Sequence, residues 1–146
     1  MSTRTFENEN SLGYVMKQAQ HALRKKMDER LRDLELTVPK YSVLNALEKE
    51  PGASNAELAR RAFITPQSMQ GIISNLEKSN LIIRQSDPEH GRIQKAELTE
   101  SGRKIISKAH SVAAEIETNL REAILPLEYE VVLAMLQRCR DEFEGS

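Results

Sequence analysis

Apolar residues recur at steps of three and four over most of the chain, the spacing of helices that each bury one face. From Leu12 to Leu34 the series Leu12, Met16, Ala19, Leu23, Met27, Leu31 and Leu34 predicts one long helix with a single apolar stripe. A second helix is predicted from Thr37-Val38-Pro39, with proline in its first turn, to Pro51-Gly52, with Val43, Leu44 and Leu47 inward. Ser54-Asn55-Ala56-Glu57 has the spacing of a capping box and opens a short helix closing near Ala62. Only Phe63-Ile64 separate it from Thr65-Pro66, a hydroxyl cap followed by proline at the first helical position. A fourth helix runs from there to about Ser79.

The period then changes. Leu81 to Ser86 is rich in Ile, Ile93 to Leu98 alternates polar and apolar, and Asp87-Pro88-Glu89-His90-Gly91 between them is a turn, so a small hairpin is predicted. Thr99-Glu100-Ser101-Gly102 opens a long helix carrying Ile105, Ile106, Ala109, Val112, Ala113, Ile116 and Leu120. Pro126 ends it, and a last helix carries Val132, Met135, Leu136, Cys139 and Phe143. The predicted fold is mostly α with a small β-hairpin. Residues 37–98 form a winged helix-turn-helix, flanked by an arm and helix over 1–36 and by two helices over 99–146. The flanking helices carry more apolar stripe than the central region can cover, so a dimer interface is expected there, making one intertwined dimeric domain.

Composition narrows the function. The 146 residues make one domain, and with no Trp, three Phe and three Tyr its core must be built from Leu, Ile, Val, Met and Ala. Lys and Arg number 21 against 22 Asp and Glu, so an anionic partner must be met by local charge and not by a basic tail. A single cysteine, Cys139, excludes an internal disulfide, and no secretory signal or long apolar run is visible, so a cytoplasmic protein without a membrane partner is expected. His21, His90 and His110 lie far apart, and there is no metal-ligand spacing, glycine-rich phosphate loop or nucleophile elbow. No metal, no cofactor and no enzymatic activity are expected.

The fourth helix carries the most information. At about 100° per residue, Met69, Ile72, Ile73 and Leu76 share one face. Opposite lie Gln67, Gly71, Ser74 and Lys78, flanked by Ser68, Gln70 and Asn75, a face without an acid. Glutamine can bond bidentately to adenine, serine can reach a base or a phosphate, and Gly71 leaves room for close backbone approach. Between Ser54 and Leu98 six basic residues (Arg60, Arg61, Lys78, Arg84, Arg92, Lys95) face five acids, so binding must depend on where the charges point. An arginine at the hairpin tip, Arg92, suits the narrow minor groove. Candidate DNA contacts are therefore Ser54, Asn55, Thr65, Gln67, Ser68, Gln70, Gly71, Ser74, Lys78, Arg84, Arg92 and Lys95.

These residues resemble the MarR family of bacterial transcriptional regulators. The resemblance runs from about Leu12 to Phe143 and rests on the order and spacing of several short pieces. They are Glu57-Leu58-Ala59, Ile64-Thr65-Pro66-Gln67-Ser68, Asn75-Leu76-Glu77, Leu81-Ile82-Ile83-Arg84, Asp87-Pro88-Glu89-His90-Gly91-Arg92 and Leu98-Thr99-Glu100-Ser101-Gly102. It implies a homodimer with the first, fifth and sixth helices interlocked, bound to a pseudo-palindromic operator of double-stranded DNA and released by a small, often phenolic, anion. It places the fourth helix in the major groove and Arg92 in the minor groove. Two departures matter. Many members have Asp-x-Arg at the wing tip where this chain has His90-Gly91-Arg92, leaving His90 or Asp87 to orient the arginine. Several have arginine where this chain has Gly71, which shifts base recognition to Gln67, Ser68, Gln70 and Ser74.

For an inducer, Tyr14, Gln18, His21 and Lys25 fall on one line of the first helix opposite its apolar stripe, either a solvated stripe or a set of groups suited to an aromatic acid. Tyr41 is a further pocket candidate. Redox-sensing members carry a cysteine near the N-terminus, whereas Cys139 reads as a packing thiol, and His110 reads as a surface residue. The expected function is a DNA-binding transcriptional repressor. The rival is a winged-helix protein-interaction adaptor without sequence-specific DNA binding, which the near-neutral charge favours.

Overall fold

A computed structural model describes Glu9, residues 11–86, Glu89 and residues 94–145. The elements are α1 (Leu12–Leu31), a 3-10 turn (Arg32–Leu34), α2 (Val38–Lys49), α3 (Asn55–Ala62), α4 (Pro66–Lys78), β1 (Ile82–Ser86), β2 (Gln94–Leu98), α5 (Glu100–Ala123) and α6 (Tyr129–Glu144). Each of the first four helices starts behind a hydroxyl. The side chains of Ser11, Thr37, Ser54 and Thr65 accept from the backbone N–H of Tyr14, Lys40, Glu57 and Ser68 at 3.2, 3.4, 3.2 and 3.1 Å. Each such cap stabilises its helix by about 1 kcal/mol. Asp28 of α1 adds a tertiary cap, its Oδ1 accepting from the Val38 N–H at 2.8 Å.

The long first helix expected from Leu12 to Leu34 ends its α-helical part at Leu31. Glu35 adopts a left-handed conformation (φ 57°), and the Leu36 N–H bonds back to the Leu31 carbonyl at 3.1 Å. The tightened turn closes the helix and drops Leu36, 3% exposed, into the core.

Two compact units make up the chain, residues 1–112 and 113–146, the division falling within α5. The core of the first is aliphatic: Leu31, Val43, Leu44, Leu47, Leu58, Met69, Ile73, Leu76, Ile82 and Ile106 are almost completely buried. These side chains come from α1 to α5 and β1, so every element around α4 is fixed to one packed centre. β1 and β2 pair antiparallel with Ile82 opposite Leu98 and Arg84 opposite Ala96. Ala96 and Leu98 point inward while Lys95 and Glu97 point outward, the alternation that the sequence of β2 predicts.

Asn80 takes a left-handed conformation (φ 59°) between α4 and β1, and its carbonyl accepts from the Thr99 hydroxyl at 2.7 Å. The same Thr99 Oγ1 accepts from the Gly102 N–H at 2.9 Å, and the Thr99 N–H bonds to the Leu81 carbonyl at 3.0 Å. One threonine therefore caps α5 and ties it to the entry of the hairpin.

In the second unit, the Tyr129 hydroxyl donates to the Glu117 carboxylate, and the Arg121 guanidinium carbon lies 3.6 Å from the Tyr129 ring centre. α6 has no buried residue among those described, and Leu133, Met135, Leu136 and Phe143 stand 41, 58, 50 and 79% exposed. No described helix is long and apolar enough to cross a membrane.

Candidate nucleic-acid interface

α4 divides cleanly along its length. Met69, Ile73 and Leu76 are buried to within 1% and Ile72 is half-buried, packed against them. Gln67, Ser68, Gln70, Gly71, Asn75 and Lys78 are exposed, and Ser74 is half-buried. A Cβ built on Gly71 would meet nothing within 4 Å, so no contact among the described residues requires glycine there.

The first turn of α4 places two exposed hydroxyls side by side. Thr65 Oγ1 accepts from the Ser68 N–H and donates to Ser68 Oγ at 3.0 Å, leaving the Ser68 hydroxyl hydrogen to be donated outward. Exposed hydroxyls beside a helix N-terminus favour a phosphate oxygen. Ser54 caps α3 and is half-buried, as is Asn55 after it.

Three of the candidates meet around one hollow. Asn55 of α3, Gln70 of α4 and Arg84 of β1 line a recess of about 250 Å³ whose remaining wall is Ala53, Leu58, Ile73 and Ala96. Arg84 does not present a bare cation to it. Its Nε and Nη2 donate to Glu77 Oε2 and Oε1, both at 3.1 Å, a two-pronged pair between β1 and α4. Those hydrogen bonds, together with the positive charge, hold the Glu77 carboxyl below the usual carboxylate range. Glu77 therefore sits exposed on the flank of the otherwise acid-free face, with its charge already answered. Lys95 is exposed on β2, opposite Gln85. Arg92, with Asp87, His90 and Gly91, lies outside the described residues.

The inducer candidates are less unified. His21 and Lys25 line an open hollow of about 520 Å³ along α1 with Gln20, Arg24, Asp28, Glu29 and Arg32, whereas Tyr14 and Gln18 do not line it. Tyr41 belongs to a different arrangement. Its hydroxyl lies 2.9 Å from His110 Nδ1, and His110 Nε2 lies 2.9 Å from Glu48 Oε1, so a tyrosine, a histidine and a carboxylate form a chain between α2 and α5. His110, read from sequence as a surface residue, is thus engaged on both ring nitrogens. Sixty-nine positions separate it from Tyr41, and no local signal in the sequence announces the pairing. Among the described residues no group of three or more His, Cys, Asp or Glu is placed to hold a metal ion.

Comparison with known proteins bears on the family and the fold. A model of the MarR family matches residues 34–93. The HTH-type transcriptional repressor Rv2887 of Mycobacterium tuberculosis is 37% identical over 101 residues, covering 69% of this chain and 73% of that protein. Its structure in complex with salicylic acid matches with a TM-score of 0.73 at 30% identity, covering 90% of this chain and 98% of the other. The transcriptional repressor CouR of Rhodococcus jostii, bound to a 23-mer DNA duplex, matches with a TM-score of 0.83 at 26% identity, covering 95% and 99%. Both share the mostly helical winged-helix architecture seen here.

Proposed function

The chain belongs to the MarR family, and from that premise we propose that it is a homodimeric transcriptional repressor whose α4 reads the major groove of a pseudo-palindromic operator. The observation that carries this reading is the outer face of α4. Gln67, Ser68, Gln70 and Gly71 stand exposed on a helix whose other side is locked into the core, beside a hairpin tied to that helix through Arg84 and Glu77. Such a face offers base-edge donors and acceptors on a rigid support. Family and relatives are regulators, and no enzymatic role is proposed.

Dimerisation is supported by the exposed apolar side chains. Leu12, Val15 and Leu23 of α1 stand 69, 47 and 37% exposed, and α6 adds the four named above, more than a soluble monomer ordinarily leaves to water. A second copy covering them gives the two-fold symmetry that a pseudo-palindrome mirrors, with recognition helices about 34 Å apart. A small aromatic acid is the proposed inducer, since the salicylic acid complex of Rv2887 concerns a protein of the same fold. Such a ligand lowers operator affinity only by binding better to a dimer of another spacing. His21 and Lys25, in the hollow along α1, are the proposed contacts. A cytoplasmic location follows from a DNA partner.

The test is fluorescence anisotropy at about 150 mM salt, comparing a duplex from upstream of the protein's own coding region with a scrambled duplex of equal length. The expected result is a preference of about a hundredfold or more for the first, reduced by salicylate while the dimer stays intact. Equal, weak binding to these two and to duplexes recovered by a genome-wide pull-down would favour the adaptor.

A further inference from the structure

Phe63 combines two features that are unusual separately. It closes α3 with φ 57° and ψ 41°, the left-handed conformation that glycine or asparagine adopts at the end of a helix, and its side chain is 91% exposed. Its N–H bonds to the Arg60 carbonyl at 3.3 Å and the Ile64 N–H bonds to the Ala59 carbonyl at 3.1 Å, so the backbone geometry belongs to the turn and any residue tolerant of positive φ would serve it. A bulky aromatic is strained there, and among the described residues nothing covers the ring in return.

The position says what could cover it. Phe63 is two residues before Thr65, the cap of α4, so its Cα lies within about 7.6 Å of the Thr65 Cα. Exposed Arg60 stands in the preceding turn. Phe63 therefore lies close in the chain to the end of α4 that Gln67 and Ser68 present to solvent, an exposed apolar side chain among exposed Arg60, Arg61, Thr65 and Ser68. We propose that Phe63 is a DNA-contact residue that packs its ring on the deoxyribose face of the strand passing the N-terminus of α4. Sugar carbons are the apolar part of the backbone that phosphate-binding side chains leave uncovered. A contact to sugar positions the protein without reading sequence. The inference rests on the DNA-binding reading above and adds to it a residue outside its set of polar and charged contacts.

The experiment pairs two readouts that a structural role would move together. Phe63→Asn and Phe63→Gly relieve the positive-φ strain, and Phe63→Leu keeps an apolar group. Wild type and variants are compared by thermal unfolding and by anisotropy on two duplexes, one selected by the wild-type protein from a random pool and one scrambled. For Phe63→Asn and Phe63→Gly the expected result is a Tm equal to or above wild type. Affinity should fall about three- to tenfold on both duplexes alike, with an unchanged salt slope because no charge is lost. Phe63→Leu should lose less. Affinity within twofold of wild type would overturn the proposal, and so would a lowered Tm or a loss confined to the selected duplex. Absence of wild-type binding to either duplex would instead sink the DNA-binding reading, and this inference with it.

Discussion

Arg84 and Glu77 meet prong to prong, with Nε–Oε2 and Nη2–Oε1 both at 3.1 Å, so the hairpin's first strand is fastened to α4 by an ion pair at the edge of the face proposed to meet DNA. The pair changes what Arg84 can contribute. A guanidinium already held by a carboxylate releases fewer counterions from DNA than a free one. Replacing Glu77 by Gln should therefore tighten DNA binding at low salt and steepen the fall of log affinity with log salt by about one unit per freed arginine. An unchanged slope in Glu77→Gln would mean that Arg84 lies off the DNA. The pair also has an acid limit. Because Glu77 is held below its ordinary value, its stabilising effect is present above that value and fades as pH falls through the lowered one. Wild type and Glu77→Gln should therefore converge in Tm at acid pH.

Gly71 is a helix-interior glycine with empty space around its missing Cβ. In the free protein Gly71→Ala should stabilise by about 0.5–1 kcal/mol, because alanine loses less backbone entropy on folding. If α4 lies close against base edges, the added methyl meets DNA, and operator affinity should drop while Tm rises. A rise in both would show that the helix stands off from the groove at this point.

Gly102 is the opposite case. A Cβ there would lie 2.1 Å from the Leu81 carbonyl oxygen, a backbone atom that cannot swing aside. Gly102→Ala must push the start of α5 off the hairpin entry that Thr99 anchors. Thermal or urea unfolding should show a loss of at least the about 1–3 kcal/mol of an overpacked core site. A Tm near wild type would mean that α5 can shift without cost.

The contrast between these glycines marks what a sequence of this kind reveals. The starts of α3 and α4 were legible because they depend on residues close in sequence, the Ser54 and Glu57 spacing in one and the Thr65-Pro66 pair in the other. The inward faces of α4 and β2 were legible because burial follows the local period. Glu77 with Arg84, Tyr41 with His110, and Gly102 under Leu81 depend on chain segments that only the tertiary fold brings together. Phe63 was hidden for another reason: its φ is dictated by the short turn, and an aromatic residue carries no cue to positive φ. The early end of α1 was obscured because Leu34 continues the apolar period while the backbone has already tightened.

Tyr41, His110 and Glu48 offer the last test, because their chain of hydrogen bonds spans α2 and α5 with the Tyr41 and His110 rings edge to face at 5.7 Å. Tyr41→Phe keeps the ring and removes the hydroxyl, so it should cost about 0.5–1.5 kcal/mol, the net value of one hydrogen bond. His110→Ala removes both bonds and the ring contact and should cost more. The double variant should cost less than the two losses added, since the bond between the two residues is lost only once. Burial, and then the nearby Glu48 carboxylate, raise the Tyr41 pKa above its ordinary value of 10.0. The unfolded chain thus gives up this proton first as pH rises, so stability is retained below pH 10 and declines as pH climbs from there through the raised value. Tyr41→Phe should show a shallower alkaline decline than wild type in Tm measured against pH. Parallel declines would mean that the Tyr41 hydroxyl titrates alike in the folded and unfolded chain.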